Sequence, residues 1–178
     1  MAMVLFLSLF FSVQMAAGAQ EPSSYVGQQE RSVKALSDSE IQGYLEGEGM
    51  GLAKAAELNG YPGPKHVLEL AESLGLNETQ RTVAEKLFQN VQTKARDVGL
   101  QIVELEREMD VLFATAQADE QSVEELTSRI GLLQGRLRAI HLAAHLAMKQ
   151  ALAPVQLALY QQLRGYDAAP LHESSHHH

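Results

Sequence analysis

Ala84, Phe88, Val91, Ala95, Val98, Ile102, Leu105, Met109 and Leu112 recur at spacings of 4,3,4,3,4,3,4,3. An α-helix turns once in about 3.6 residues, so this spacing lays all of these side chains along one stripe. It predicts a single helix with an apolar seam about 42 Å long at ~1.5 Å rise per residue. A second seam follows in the same alternation: Leu126, Ile130, Leu133, Leu137, Ile140, Ala144, Ala147 and Ala151. The stretch between them, Ala116 to Gln121, is polar and reads as a turn. Two such helices joined by a short turn lie antiparallel, so the predicted fold is all-α, a long antiparallel helical hairpin. Hydrophobic content of 46% with only 6% aromatics and no Trp suits aliphatic seams. The second seam tapers from Leu and Ile to Ala, which lets the backbones approach closely at that end.

Shorter helices flank the hairpin. Ser37-Asp38-Ser39-Glu40 is a capping box, and a helix is expected from there toward Leu58. Gly43, Gly47, Gly49 and Gly51 weaken it by roughly 1 kcal/mol each relative to Ala and point to close packing or partial disorder. Asn59-Gly60-Tyr61-Pro62-Gly63-Pro64 is a break, after which Pro64 opens a helix over Lys65–Leu74 that Gly75 ends. Asn77-Glu78-Thr79-Gln80 caps the first long helix, and Ser122-Val-Glu-Glu125 is expected to cap the second. Pro154 starts a final helix, Val155–Leu163, closed by Gly165. The organisation read from this is 1–19 signal peptide, 20–36 disordered arm, 37–166 helical domain and 167–178 polar tail ending in His176-His177-His178.

The N-terminus carries the export reading. Residues 2–19 bear no charged side chain, Met3 to Val13 is an apolar core, and Ala17-Gly18-Ala19 offers the small residues a signal peptidase reads, with cleavage before Gln20. The apolar core is shorter than the roughly 20 residues needed to span a bilayer. The usual positive residues at its start are missing, and an uncleaved membrane anchor is the alternative. With no Cys, there is no lipoprotein anchor, disulfide or thiolate chemistry.

The net charge of −8 with no lysine or arginine run argues against nucleic-acid binding. The sequence shows no Ser/His/Asp arrangement, phosphate-binding glycine loop or HExxH motif, so no enzyme and no organic cofactor are expected. What remains is a stripe: His141, His145 and Met148, spaced 4 and 3, share one helix face. Imidazole nitrogen and thioether sulfur bind borderline and soft ions, so Zn, Ni, Co or Cu is the chemistry implied. Two imidazoles make an incomplete set, to be completed by His66 and Glu69, three apart after Pro64, or by Glu46 and Met50. Off-seam Leu142 and Leu146, with Arg136 and Arg138, form a candidate surface for unfolded clients. Phe113, Leu132, Leu157 and Leu159 also lie off the seams and need cover, from the short helices or from a second copy in a homodimer.

Leu76-Asn77-Glu78-Thr79-Gln80 and Leu152-Ala153-Pro154-Val155-Gln156 resemble the repeated Leu-Thr-x-x-Gln motif of the Spy/CpxP-like family of periplasmic chaperones and heavy-metal-resistance proteins, with Asn77 and Ala153 where Thr is usual. Glu57-Leu-Asn-Gly-Tyr-Pro-Gly-Pro-Lys-His-Val-Leu-Glu-Leu70 and the His141/His145 stripe look like the heavy-metal-sensor branch, although the paired histidines of some first helices are missing here. The resemblance covers roughly residues 40–166. It implies a cradle-shaped dimer in the periplasm and either an ATP-independent chaperone for unfolded periplasmic or membrane-protein clients, or a metal sensor acting on a membrane partner such as a sensor kinase or an anti-sigma-type protein.

Overall fold

Residues 21–166 are described by the computed structural model; the expected signal peptide and the tail from Asp167 lie outside the described residues. The described chain is all-helical: α1 (Asp38–Glu46), α2 (Lys54–Glu57), α3 (Pro64–Glu69), α4 (Glu78–Ala114), α5 (Glu120–Ala151) and α6 (Pro154–Leu163). α4 and α5 pack against each other as the predicted hairpin. None of the described helices is long and apolar enough to cross a membrane.

Of the first seam, Ala84, Ala95, Val98, Ile102 and Leu105 are in the core, and Phe88, Val91, Met109 and Leu112 are half-buried. The second departs from the expected register at one place. Leu126, Ile130 and Leu137 are buried, but the next buried positions are His141, Ala144 and Met148 rather than Ile140 and Ala147. A straight helix drifts by about 20° per heptad against a 3.5-residue repeat. One spacing of four in place of three corrects that drift, and it rotates the histidine stripe into the seam.

Several boundaries also differ from expectation. α1 stops at Glu46 because Gly47 takes a left-handed φ of 68°, and only the short α2 follows. α3 is shorter than expected, its last turns running on to Gly75. α5 is capped by Asp119, three residues before the expected Ser122, whose N–H donates to the Asp119 carboxylate at 2.8 Å. The arm expected to be disordered packs in part: Val33 and Leu36 bury against Val103, and Lys34 pairs with Asp110 at 3.0 Å.

The two motif glutamines hold the open end of the hairpin. Gln80 Nε2 donates to Gln156 Oε1 at 2.8 Å, and Gln156 Nε2 donates to Gln80 Oε1 at 3.0 Å. Each also accepts the N–H that starts its own helix, from Asn77 and Ala153. Gln156 thus supplies the reach-back half of the capping box, whereas Ala153 has no side-chain oxygen to cap the Gln156 N–H. Each amide reaches a further carbonyl, Ala151 for the half-buried Gln80 and Leu74 for the buried Gln156, which leaves both groups satisfied.

α1 crosses α4 at Gly99, where a Cβ would collide with the Tyr44 backbone. Gly99→Ala is therefore expected to lose about 1–3 kcal/mol, as overpacking does. Gly131→Ala, on an open helix surface, should gain roughly 0.5–1 kcal/mol. Urea denaturation of the two variants reads opposite shifts in midpoint; equal shifts would show that α1 does not press on Gly99.

Candidate metal centre

The centre is built on a carboxylate that the sequence did not single out. Glu57, the last residue of α2, is only 8% exposed. Its Oε1 accepts hydrogen bonds from the Tyr160 hydroxyl at 2.5 Å and the Tyr166 hydroxyl at 3.2 Å, and the Arg164 guanidinium Nε lies 3.4 Å away. Its Oε2 accepts the Gly63 N–H at 3.2 Å. Burying a carboxylate costs several kcal/mol unless donors surround it, and this ring of donors does so. Two histidines stand at its edges: His66 Nδ1 is 3.4 Å from Oε1, and His145 Nδ1 is 3.7 Å from Oε2.

The Asn59–Pro64 break explains the rest. It turns the chain back over α5, where Lys149 sits 3.6 Å above the Tyr61 ring. The Tyr61 carbonyl then lies 2.7 Å from His145 Nδ1. A carbonyl can only accept, so Nδ1 carries a proton, and in the neutral ring the lone pair is on Nε2. Imidazoles that bind metals are commonly held this way, by a backbone carbonyl on the other nitrogen. A Cβ placed on Gly63 would meet His145 Cε1 at 2.9 Å and Nε2 at 3.0 Å, with Glu57 Oε2 3.8 Å away. The bare α-carbon of Gly63 therefore leaves a cradle bordered by one nitrogen and one oxygen donor.

One turn before His145, His141 is buried, and its Nε2 has no hydrogen-bond partner among the described residues. Burial holds its pKa below the usual histidine value, with the neighbouring His145 adding to the effect. A neutral imidazole with an unused nitrogen is a ligand by its chemistry. His141, His145, His66 and Glu57 all line one cleft of about 720 Å³, walled by Phe88, Val91 and Gln92 of α4 and roofed by residues 46–51. Glu46, Glu48 and Met50 come from that roof. Among the described residues, no three His, Asp or Glu side chains already converge as a closed metal cage. The donors surround a cleft.

Of the expected ligands, His141, His145 and His66 share the cleft, as do Glu46 and Met50. Met148 does not: it is fully buried among Val67, Leu74, Ala84, Leu152 and Tyr160, because the next turn of the seam faces the apolar end of the core. Glu69 is exposed on the solvent side of α3 and does not line the cleft. Glu57 went unread because its partners come from α3, α5 and the C-terminal segment; the only local signal was its place just before the break. Arg136 and Arg138 are exposed, as is Leu146, while Leu142 is half-buried.

A family model described as heavy-metal resistance matches residues 53–158, which is more than half of the chain. No curated protein and no solved structure matches it.

The pKa of His141 generates a stability prediction. As pH falls below about 6.5, the unfolded chain takes up a proton that the folded chain refuses, so stability rises with pH in this window. The His141 contribution is full above that value and is lost as pH falls toward the folded-state pKa. His141→Leu should flatten this part of the curve. It should also stabilise the metal-free protein by about 1–3 kcal/mol, since it removes a buried polar atom without a partner. Guanidinium unfolding between pH 7.5 and 5 reads both; an unchanged pH slope in the variant would refute the assignment.

Proposed function

The chain belongs to the heavy-metal resistance family, and from that premise we propose that it is an exported protein that binds a divalent transition ion in the cleft between α4 and α5. The observation that carries the reading is His141 Nε2, buried without a partner at a seam position that a Leu would fill at lower cost. An imidazole kept there has a use for its lone pair. His141 and His145 supply nitrogens and Glu57 an oxygen, with His66 beside them, and this mixture suits Zn, Ni, Co or Cu. The bound ion would be held away from other ligands, which is the chemistry a resistance protein needs.

A second activity, ATP-independent protection of unfolded clients, is supported by exposed apolar residues. Leu132 is 74% exposed and Leu146 54% exposed, on the same helix as Arg136 and Arg138. A second copy of the chain would cover some of the same residues, and sedimentation reads that as a homodimer. In the alternative reading the protein is a sensor that passes the metal signal to a membrane partner. Retention of residues 1–19 on the exported protein favours it, and their removal counts against it.

Calorimetric titration of a variant with His172, His176, His177 and His178 changed to Ala tests the metal reading without the tail histidines. Saturating zinc should raise stability by about 2.7 kcal/mol at a hundredfold excess over Kd. The rise should fade below about pH 6, where imidazole is protonated. Gly63→Ala should weaken binding, because its Cβ enters the cradle while its φ of −83° suits Ala as well as Gly. Absence of binding heat for Zn, Ni, Co and Cu would defeat the reading. For the protective activity, stoichiometric protein is expected to suppress aggregation of a denatured client, and Leu132→Ser with Leu146→Ser to reduce that suppression; unaltered suppression would move the client surface elsewhere.

A further inference from the structure

Glu57 presents two different oxygens. Oε1 is held by the Tyr160 and Tyr166 hydroxyls, with Arg164 Nε at 3.4 Å, all from α6 and the residues just after it. Among the described residues, Oε2 accepts a hydrogen bond only from the Gly63 N–H, and it borders the cradle beside His145 Nε2. If Glu57 turned Oε1 toward an ion, it would leave the hydroxyl of Tyr160, a fully buried residue, without an acceptor and separate the carboxylate from the guanidinium. Buried donors without acceptors are more costly than a carboxylate used through one oxygen. Tyr160 is itself locked, its ring packed with Val67, Leu74, Ala84, Met148 and Leu152.

We propose that the C-terminal segment is part of the cation site: Tyr160, with Tyr166 and Arg164, positions Glu57 so that Oε2 alone serves as the carboxylate donor. These are positioning residues, since none of the three is offered as a ligand. The proposal rests on the metal reading above and adds to it a reason why a helix outside the hairpin governs affinity. Hydrogen-bond partners of a ligating carboxylate commonly carry about 10–100-fold of metal affinity. It follows that truncations that remove α6 would also weaken binding of the ion.

A double-mutant cycle decides it. In the full chain with its four tail histidines changed to Ala, Tyr160→Phe removes one hydroxyl and keeps the ring in the core. Zinc affinity by calorimetry should fall by about 10–100-fold. In a Glu57→Gln background the same change should cost nothing further, because the hydroxyl acts only through the carboxylate. Cobalt(II) bound to the protein gives a second readout: Tyr160→Phe should alter its visible spectrum, as the released carboxylate changes its mode of binding. Tyr166→Phe, at a half-buried site, gives the same cycle should Tyr160→Phe fail to fold. Equal losses in both backgrounds would mean a general structural role and overturn the proposal, as would wild-type affinity in the single variant. In either case the metal reading survives. Absence of binding of Zn, Ni, Co and Cu alike by the parent protein would remove both.

Discussion

A carboxylate taken out of water has to be surrounded by donors, and that requirement organises the open end of this molecule. Glu57 draws on the Gly63 backbone and on Tyr160, Arg164 and Tyr166. With His66 and His145 at its edge, it joins α2, the break, α3, α5 and the C-terminal segment around one side chain. An apolar residue at position 57 would leave the buried Tyr160 hydroxyl without its acceptor and the Arg164 guanidinium without its carboxylate. The arrangement is therefore poor as a stability device and sound as a way of presenting one charged oxygen to a cleft. That contrast is why the functional reading is centred there.

The cleft exists because the seams do not fill it. Toward the turn, Leu105, Leu126 and Ile130 close the space between the long helices with aliphatic bulk. Farther along, Ala144 and Ala95 replace such residues, and His141 enters the seam where another Leu would pack. Below the cleft the core closes again around Met148 and Tyr160. The open space thus sits between two well-packed blocks, and the donors that border it come from elements anchored on both. The reciprocal Gln80–Gln156 pair fastens the far end and fixes where α6 begins. Through it, the position of Tyr160 against Glu57 is tied to the start of α4.

A site of this kind costs stability and retains a use for it. His141 carries a buried nitrogen without a partner, and burial holds the ring neutral. Residues 46–51 lie over the site as a glycine-rich roof in which Met50 has a left-handed φ of 40°. Strain and unmet hydrogen-bonding capacity in one place mark where packing has given way to another demand. Membership of the heavy-metal resistance family is consistent with that demand being a metal ion.

The hairpin was legible from the sequence because an amphipathic helix records its buried face in its own spacing: both seams, the Asn77 cap and the Pro154 start need only neighbours within a few turns. The histidine pair was legible for the same reason, since four residues along a helix is a local distance. Which face of α5 the pair occupies was not, because a drift of a fraction of a turn accumulates over the helix and is corrected only against the partner helix. For that reason Ile140 and Ala147 were expected in the seam where His141 and Met148 lie. Met148 was placed with the histidines by local spacing, while its burial depends on Val67 of α3, far away in sequence, and on how α6 folds back to bring in Tyr160. Glu57 shows the limit most clearly: Gly63 is six residues away, but Tyr160 and Tyr166 are more than a hundred away. Periodicity determines how each helix presents itself; only tertiary packing decides which distant side chains meet, since a buried charge takes its partners from whatever the fold brings within hydrogen-bond reach.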